Sequence, residues 1–258
     1  MSSTFWFLLI LSFLASSKYT LGPILLRFKH SGAVNPTFNE VSEENARAWF
    51  PPNSFWTISE LEALGFSLVN HLTSATITKR VYSMMSLLVN RSSQTFAMVT
   101  FARTLNPQAL RAVNYIEFHS EFEDGSHLDT INSPSVALFY PVPNKRQVRV
   151  PHLKDPSALY LVHLHLMKQQ NSAAVLPEPG NEKAYFIDSN KRSLAAQVET
   201  GYFFVDVKAQ RYRPTWQGAF RSAYRLLWPM KQIIQRRQER EGKRIAAEAV
   251  QASVNDAL

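Results

Sequence analysis

The chain reads as an α+β protein: an N-terminal hydrophobic helix, then an antiparallel β-meander of about five or six strands packed with helices, a small C-terminal hairpin and a basic amphipathic helix. Three observations predict this. Between residues 66 and 132 the apolar positions recur with a period of two, in segments rich in β-branched and aromatic side chains. From Asp155 the period lengthens to that of a helix. Ahead of both, residues 1–17 carry no charged side chain and hold Phe5-Trp6-Phe7-Leu8-Leu9-Ile10-Leu11 and then Phe13-Leu14-Ala15.

A spanning helix wants roughly 20 apolar residues, with about 17 as the lower bound. The leader sits at that bound. Lys18, Arg27 and Lys29 follow it, and positive charge on the C-terminal side places the rest of the chain on the cytoplasmic face. Pro23 is expected to end or bend the helix, with Ile24-Leu25-Leu26, Arg27 and Phe28 continuing along the interface. The alternative is a secretory signal cleaved near Ala15-Ser16-Ser17, although its positive n-region is missing. A buried core helix is the third reading. The expected organisation is a membrane segment with its basic flank over 1–29, a linker over 30–56, an α+β domain over 57–230 and a basic helical tail over 231–258.

Apolar residues make up 45% and charged residues 19% of the chain, enough apolar content for a real core. There is no cysteine, which excludes disulfides, thiolate nucleophiles and thiolate metal sites together. Asn90-Arg91-Ser92 matches a glycosylation sequon, relevant only to an exported chain. The net charge of +8 is concentrated: the window from Lys208 to Arg244 is +9 and the remainder is −1. A neutral body with such a tail points to an anionic neighbour, lipid headgroups or nucleic acid.

Within the linker, Asn35-Pro36 and Pro51-Pro52 act as breakers, and Ser42-Glu43-Glu44-Asn45 starts one helical turn carrying Trp49 and Phe50. Residues 59–64 end a short helix at Gly65. Strands are expected over 66–73, 81–90, 94–103 and 113–123, with Arg91-Ser92-Ser93 turning the second into the third. Asp124-Gly125 reads as a two-residue hairpin returning the chain through 126–132, which sets Thr130 opposite His119 and Asn132 opposite Glu117. Residues 147–150 form an edge strand ended by Pro151.

Asp155-Pro156 is an N-cap with Pro at the first helical position, and Leu159, Val162, His163 and Leu166 share one face. A Pro-rich connection over 171–180 leads to a helix over 181–200 that buries Ile187, Leu194 and Val198 and stops at Gly201. Residues 202–207 and 211–213 pair as a hairpin. Thr215 then caps a helix with Trp216, Phe220, Ala223 and Leu227 on one stripe and Arg221 and Arg225 opposite. Pro229 interrupts it before the basic helix.

Glu117, His119 and Glu121 alternate on one strand face; two carboxylates flanking an imidazole suit a divalent metal or acid–base chemistry. The competing reading is a solvated sheet face, with Ile116, Phe118 and Phe122 pointing inward. His163 and His165 point about 200° apart on a helix, so they do not chelate together. No Gly-rich phosphate loop, serine elbow or paired metal motif occurs in the sequence, and neither a cofactor nor a bound metal is expected. In the tail, Trp216, Tyr224 and Trp228 interleave with Arg221, Arg225 and Lys231, and Arg236 and Arg237 follow, a mixture suited to a lipid–water boundary; the competing reading packs Trp216, Phe220 and Leu227 on the domain and leaves the arginines to solvate it.

The order helix, tight hairpin, helix around residues 197–220, with Gly201-Tyr202-Phe203-Phe204 and Tyr212-Arg213-Pro214-Thr215, resembles the wing of a winged-helix DNA-binding module over about 25 residues, without a convincing helix pair before it. More broadly, Glu117-Phe118-His119-Ser120-Glu121-Phe122-Glu123-Asp124-Gly125, Tyr212-Arg213-Pro214-Thr215-Trp216-Gln217-Gly218-Ala219-Phe220 and Leu227-Trp228-Pro229-Met230-Lys231 resemble an uncharacterised bacterial family of single-pass, N-terminally anchored membrane proteins. That resemblance implies an anchor and no activity. The expected function is a membrane-anchored binding or scaffold domain facing the cytoplasm. It would meet the bilayer through residues 5–15 and anionic headgroups through Arg221, Arg225, Trp228, Lys231, Arg236 and Arg237. A hydrolase or metal-dependent enzyme using Glu117, His119 and Glu121 is the alternative, and a winged-helix nucleic-acid binder the third.

Overall fold

The computed structural model describes residues 3–50, 52–78, 81–104, 112–137 and 142–256. Helix α1 (Ser3–Lys29) runs through Pro23 instead of ending there. Pro23 is buried, and Gly22 beside it faces Ala223 and Leu227, so packing offsets the lost backbone hydrogen bond. Residues 30–56 are built into the fold: β1 (Gly32–Ala33) and β2 (Asn39–Val41) pair with distant strands, and α2 (Glu43–Trp49) is capped by Ser42, whose hydroxyl accepts from Asn45 N at 3.4 Å. Helix α3 (Pro52–Ala63) crosses the expected boundary at residue 57 and ends before Gly65, at φ +87°.

The main sheet uses β3 (Ser67–Thr78), β4 (Val81–Asn90), β5 (Thr95–Thr104), β6 (Ala112–Phe122), β7 (His127–Ile131) and β8 (Lys145–Arg149) in the order β2-β3-β4-β5-β6-β7-β8. Pairing is antiparallel as expected, except that β8 lies parallel to β7. After it come α4 (Pro156–Met167), β9 (Ala174–Val175), which pairs with the end of β6, and α5 (Glu182–Glu199). The hairpin β10 (Phe203–Asp206) and β11 (Arg211–Pro214) gains β1 as a third strand. Helices α6 (Trp216–Leu226) and α7 (Met230–Asp256) complete the chain.

One face of the sheet packs on α3, α4 and α7. Phe118, Leu88, Val99 and Leu159 form its centre, and Ile245 and Ala249 of α7 join Leu128, Val148 and Leu166 at one end. The other face lies under α5, where Phe186 and Ile187 meet Leu72 and Met85, and Tyr185 meets Leu87 and Phe96. Thus one face of the C-terminal half of the basic tail, through Ile245 and Ala249, belongs to the core. Alternation along β4, β5 and β6 explains both faces: successive side chains point to opposite sides of the pleat.

The β6–β7 register is one residue from that expected. Glu117 opposes Ile131, His119 opposes Asp129 and Glu121 opposes His127. Phe122 N donates to Ser126 O, so the loop holds three residues, with Gly125 at φ +76°. A three-residue loop ending in a left-handed glycine replaces the two-residue turn. This slip exchanges Thr130 for Asp129 beside His119.

Helix α6 also turns differently. Its buried face is Gly218, Ala219, Ser222, Ala223 and Arg225, whereas Trp216, Phe220 and Tyr224 are about half exposed. Small residues let the backbone approach its neighbours closely; a Cβ on Gly218 would collide with the Tyr202 carbonyl. Among the described residues no helix is long and apolar enough to cross a membrane. Residues 7–16, which hold most of the expected anchor, have side chains outside the described set.

Candidate functional site

The odd-numbered face of β6 presents Tyr115, Glu117, His119 and Glu121; β7 adds His127 and Asp129 and β8 adds Lys145, Gln147 and Arg149. At its centre Asp129 is fully buried. His119 Nδ1–H donates to Asp129 Oδ1 at 2.7 Å, Lys145 Nζ reaches Oδ2 at 2.6 Å and Gln147 Nε2 donates to Oδ2 at 3.4 Å. The Lys145 charge and the His119 hydrogen bond outweigh burial and hold the Asp129 carboxyl well below its ordinary range. Asp129 in turn raises Lys145 against the opposing effect of burial. Glu117 goes the other way: burial and the neighbouring Asp129 charge push its carboxyl up. Burial lowers Arg149, against the pull of Glu117. Two acidic and two basic side chains therefore offset one another's charge in one partly enclosed patch.

Glu121 ends the row. Its Oε2 accepts from Tyr185 Oη and from Arg192 Nη2, the latter at 2.8 Å, and stands 3.8 Å from His127 Nδ1. Tyr185 stacks on Phe96 with ring centres 5.3 Å apart and planes 8° from parallel. Burial and the Glu121 hydrogen bond push its phenol up. Burial and the nearby His119 lower His127. These contacts pin α5 to the sheet.

Between α5 and the sheet lies a cavity of about 270 Å³. Phe38, Met85, Leu87, Phe96, Met98 and Phe186 form apolar walls, Glu117, His119 and Lys145 a polar end, and Ser189, Asn190 and Ser193 the helix side. Asp129 fixes the proton of His119 on Nδ1 and leaves Nε2 as an acceptor; no described group bonds that nitrogen. The arrangement can accept a proton or hydrogen bond from a small amphipathic molecule with an apolar body.

No protein-family model, no curated protein and no solved structure matches this chain. The geometry alone carries the functional reading.

The structure brings Glu117, His119 and Glu121 to one face as the alternation required, and Ile116, Phe118 and Phe122 are buried on the other. That odd face is roofed by α5 in part, not openly solvated. Asp129, Lys145 and His127 were missed: the first because of the one-residue register slip, the second because it arrives on a parallel strand.

The expected lipid contacts separate. Arg221, Trp228, Lys231, Arg236 and Arg237 are exposed, but Arg225 is only 8% exposed and faces Arg149. Exposed aromatics instead gather on α1 and α6: Phe28 and Trp216 pack edge to face at 5.9 Å and Trp216 and Phe220 lie 6.3 Å apart, while Tyr224 on α6 and Trp228 just after it are exposed as well. Arg27 lies 5.8 Å from the Phe28 and Trp216 rings and 4.7 Å from Phe204. The wing arginines are both engaged: Arg211 Nε donates to Ser31 Oγ at 2.8 Å and Arg213 pairs with Asp206 at 2.8 Å.

Proposed function

We propose that this protein is a binding domain that rests on an anionic lipid surface through α1 and α6 and holds an amphipathic small molecule between α5 and the sheet. The observation that carries the reading is the exposure of Phe28, Trp216, Phe220, Tyr224 and Trp228, with Leu21, Ile24 and Leu25 exposed on the α1 side. An exposed apolar surface of this kind needs a cover, and aromatic bodies beside Arg27, Lys29, Arg221 and Lys231 match the lipid–water boundary. The positive flank of the leader supports the cytoplasmic leaflet as that surface.

The test is sedimentation of the full chain with phosphatidylserine-containing vesicles. Binding is expected at low salt, weakening as salt rises. Burying one such aromatic contributes roughly 1.5–3 kcal/mol, so the double variant Trp216→Ser/Phe220→Ser should lose at least tenfold in partition. Failure of the unaltered chain to bind, or equal binding by the variant, rejects the reading.

A second reading, an enzyme centred on Glu117 and His119, is favoured by the Asp129–His119 bond, which leaves an imidazole acceptor in the cavity. It requires turnover that Glu117→Ala/His119→Ala abolishes while ligand binding persists.

A further inference from the structure

A different cluster, adjoining the cavity, bears on metal chemistry and stands independently of the lipid reading. Glu121 and His127 are cross-strand partners, and His119 precedes Glu121 by two residues on the same face. Each of the three can present one ligand atom, and those atoms lie within 4.8 Å of one another. The His119 and His127 rings are 5.6 Å apart and inclined by 24°. We propose that His119, Glu121 and His127 bind a divalent transition-metal ion, with Asp129 as the residue that orients His119.

Four features support this. First, the two nitrogens left over, His119 Nε2 and His127 Nδ1, are enclosed by protein and bond no described group. A buried ring nitrogen without a partner is costly in such surroundings, and one that carries its lone pair can relieve the cost by binding a cation. Second, the Asp129 carboxylate behind His119 Nδ1–H is the outer-shell partner that metal-bound histidines characteristically have; it fixes the tautomer and raises ligand basicity. Third, Tyr185 and Arg192 both donate to Glu121 Oε2, the oxygen nearest His127 Nδ1, which fixes the orientation of the carboxylate. Fourth, His119 lines the cavity, so coordination positions not filled by protein would open towards a bound molecule.

The donor set selects the ion. Two imidazoles and one carboxylate suit zinc, iron(II), cobalt or nickel, whereas magnesium and calcium prefer all-oxygen shells. Ligand bonds of about 2.05 Å place tetrahedral donors roughly 3.3 Å apart, so the cluster has to contract from its present spread by side-chain rotation. The Arg192 charge beside Glu121 opposes the ion. That makes it a tuning group: neutralising it should tighten binding.

The experiment titrates the chelator-stripped full chain with cobalt(II), whose visible absorption reports coordination by nitrogen and oxygen, and with zinc in competition. One equivalent per chain is expected at micromolar concentration, and zinc should displace the cobalt. His127→Gln and His119→Gln should each weaken binding at least a hundredfold, and Asp129→Asn by 10- to 100-fold. His165→Ala, on the half-buried outer side of α4, should leave affinity unchanged. Because Asp129 is buried, the thermal shift on adding zinc is read beside the spectrum: unaltered protein and His165→Ala should be stabilised by the metal, and folded His127→Gln should not. No stoichiometric binding, or binding retained in both glutamine variants, overturns the proposal. Vesicle binding by the metal-free chain separates this outcome from the fate of the lipid reading.

Discussion

His163 bridges α4 to two strands at the centre of the core, and its burial makes the fold sensitive to acid. Its Nε2 lies 3.1 Å from Ser120 Oγ and its Nδ1 2.9 Å from Thr130 Oγ1, and the residue has no exposed surface. Burial pushes its pKa down to about 3. In the unfolded chain the imidazole titrates near an ordinary value of about 6.5. Below that pH the unfolded state takes up a proton that the folded state refuses, so the stabilising contribution is complete above pH 6.5 and is lost as the pH falls towards 3. Each pH unit corresponds to about 1.4 kcal/mol, so roughly 2 kcal/mol is gone at pH 5. The clean comparison is with His163→Gln, whose amide can still donate to one hydroxyl and accept from the other but does not titrate. Urea unfolding of both chains at intervals from pH 7.5 to 4.5 gives the difference in stability, in which groups moving the opposite way, such as the up-shifted Glu117, cancel. The unaltered chain should lose about 1.4 kcal/mol per pH unit relative to the variant below pH 6.5. Parallel stability curves would show that His163 is not held neutral by its surroundings.

Two further outcomes follow from close packing. A Cβ on Gly242 would come within 2.5 Å of the Arg149 carbonyl, where α7 rests on β8; Gly242→Ala should cost about 1–3 kcal/mol in chemical denaturation and loosen α7. Asn90 is 3% exposed, its Oδ1 accepts from Ser92 N and Ser93 N, and its Nδ2 donates to Leu64 O. Asn90→Ala should therefore cost about 1–3 kcal/mol, and in an exported, folded chain this sequon should stay unmodified, as mass spectrometry would show.

The elements were legible because their signals are local. Alternation located β4, β5 and β6 to within a residue or two, Asp155-Pro156 marked the start of α4, with Asp155 Oδ1 accepting from Ser157 N at 3.1 Å, and Thr215 capped α6. The candidate site was legible in part. Glu117, His119 and Glu121 share a face because side chains two apart on a strand must. Their partners were hidden, since Asp129 beside His119 depends on one residue of loop length and Lys145 arrives on a strand separated from β7 by 13 residues. The resemblance to anchored bacterial proteins found no counterpart among family models.

The amino-acid order alone determined the α+β class, the alternating face of β6 and the uneven distribution of charge, all set by neighbours a few residues apart. Only the tertiary structure decided which face each amphipathic element buries. Helix α6 shows why: its apolar stripe was equally able to pack inward or lie outward, and Gly218, Ala219, Ser222 and Ala223 won because small residues allow the close approach of α1 and the Tyr202 backbone. The aromatic residues were left exposed and Arg225 enclosed, an outcome set by contacts with chain some two hundred residues away and invisible to any local pattern.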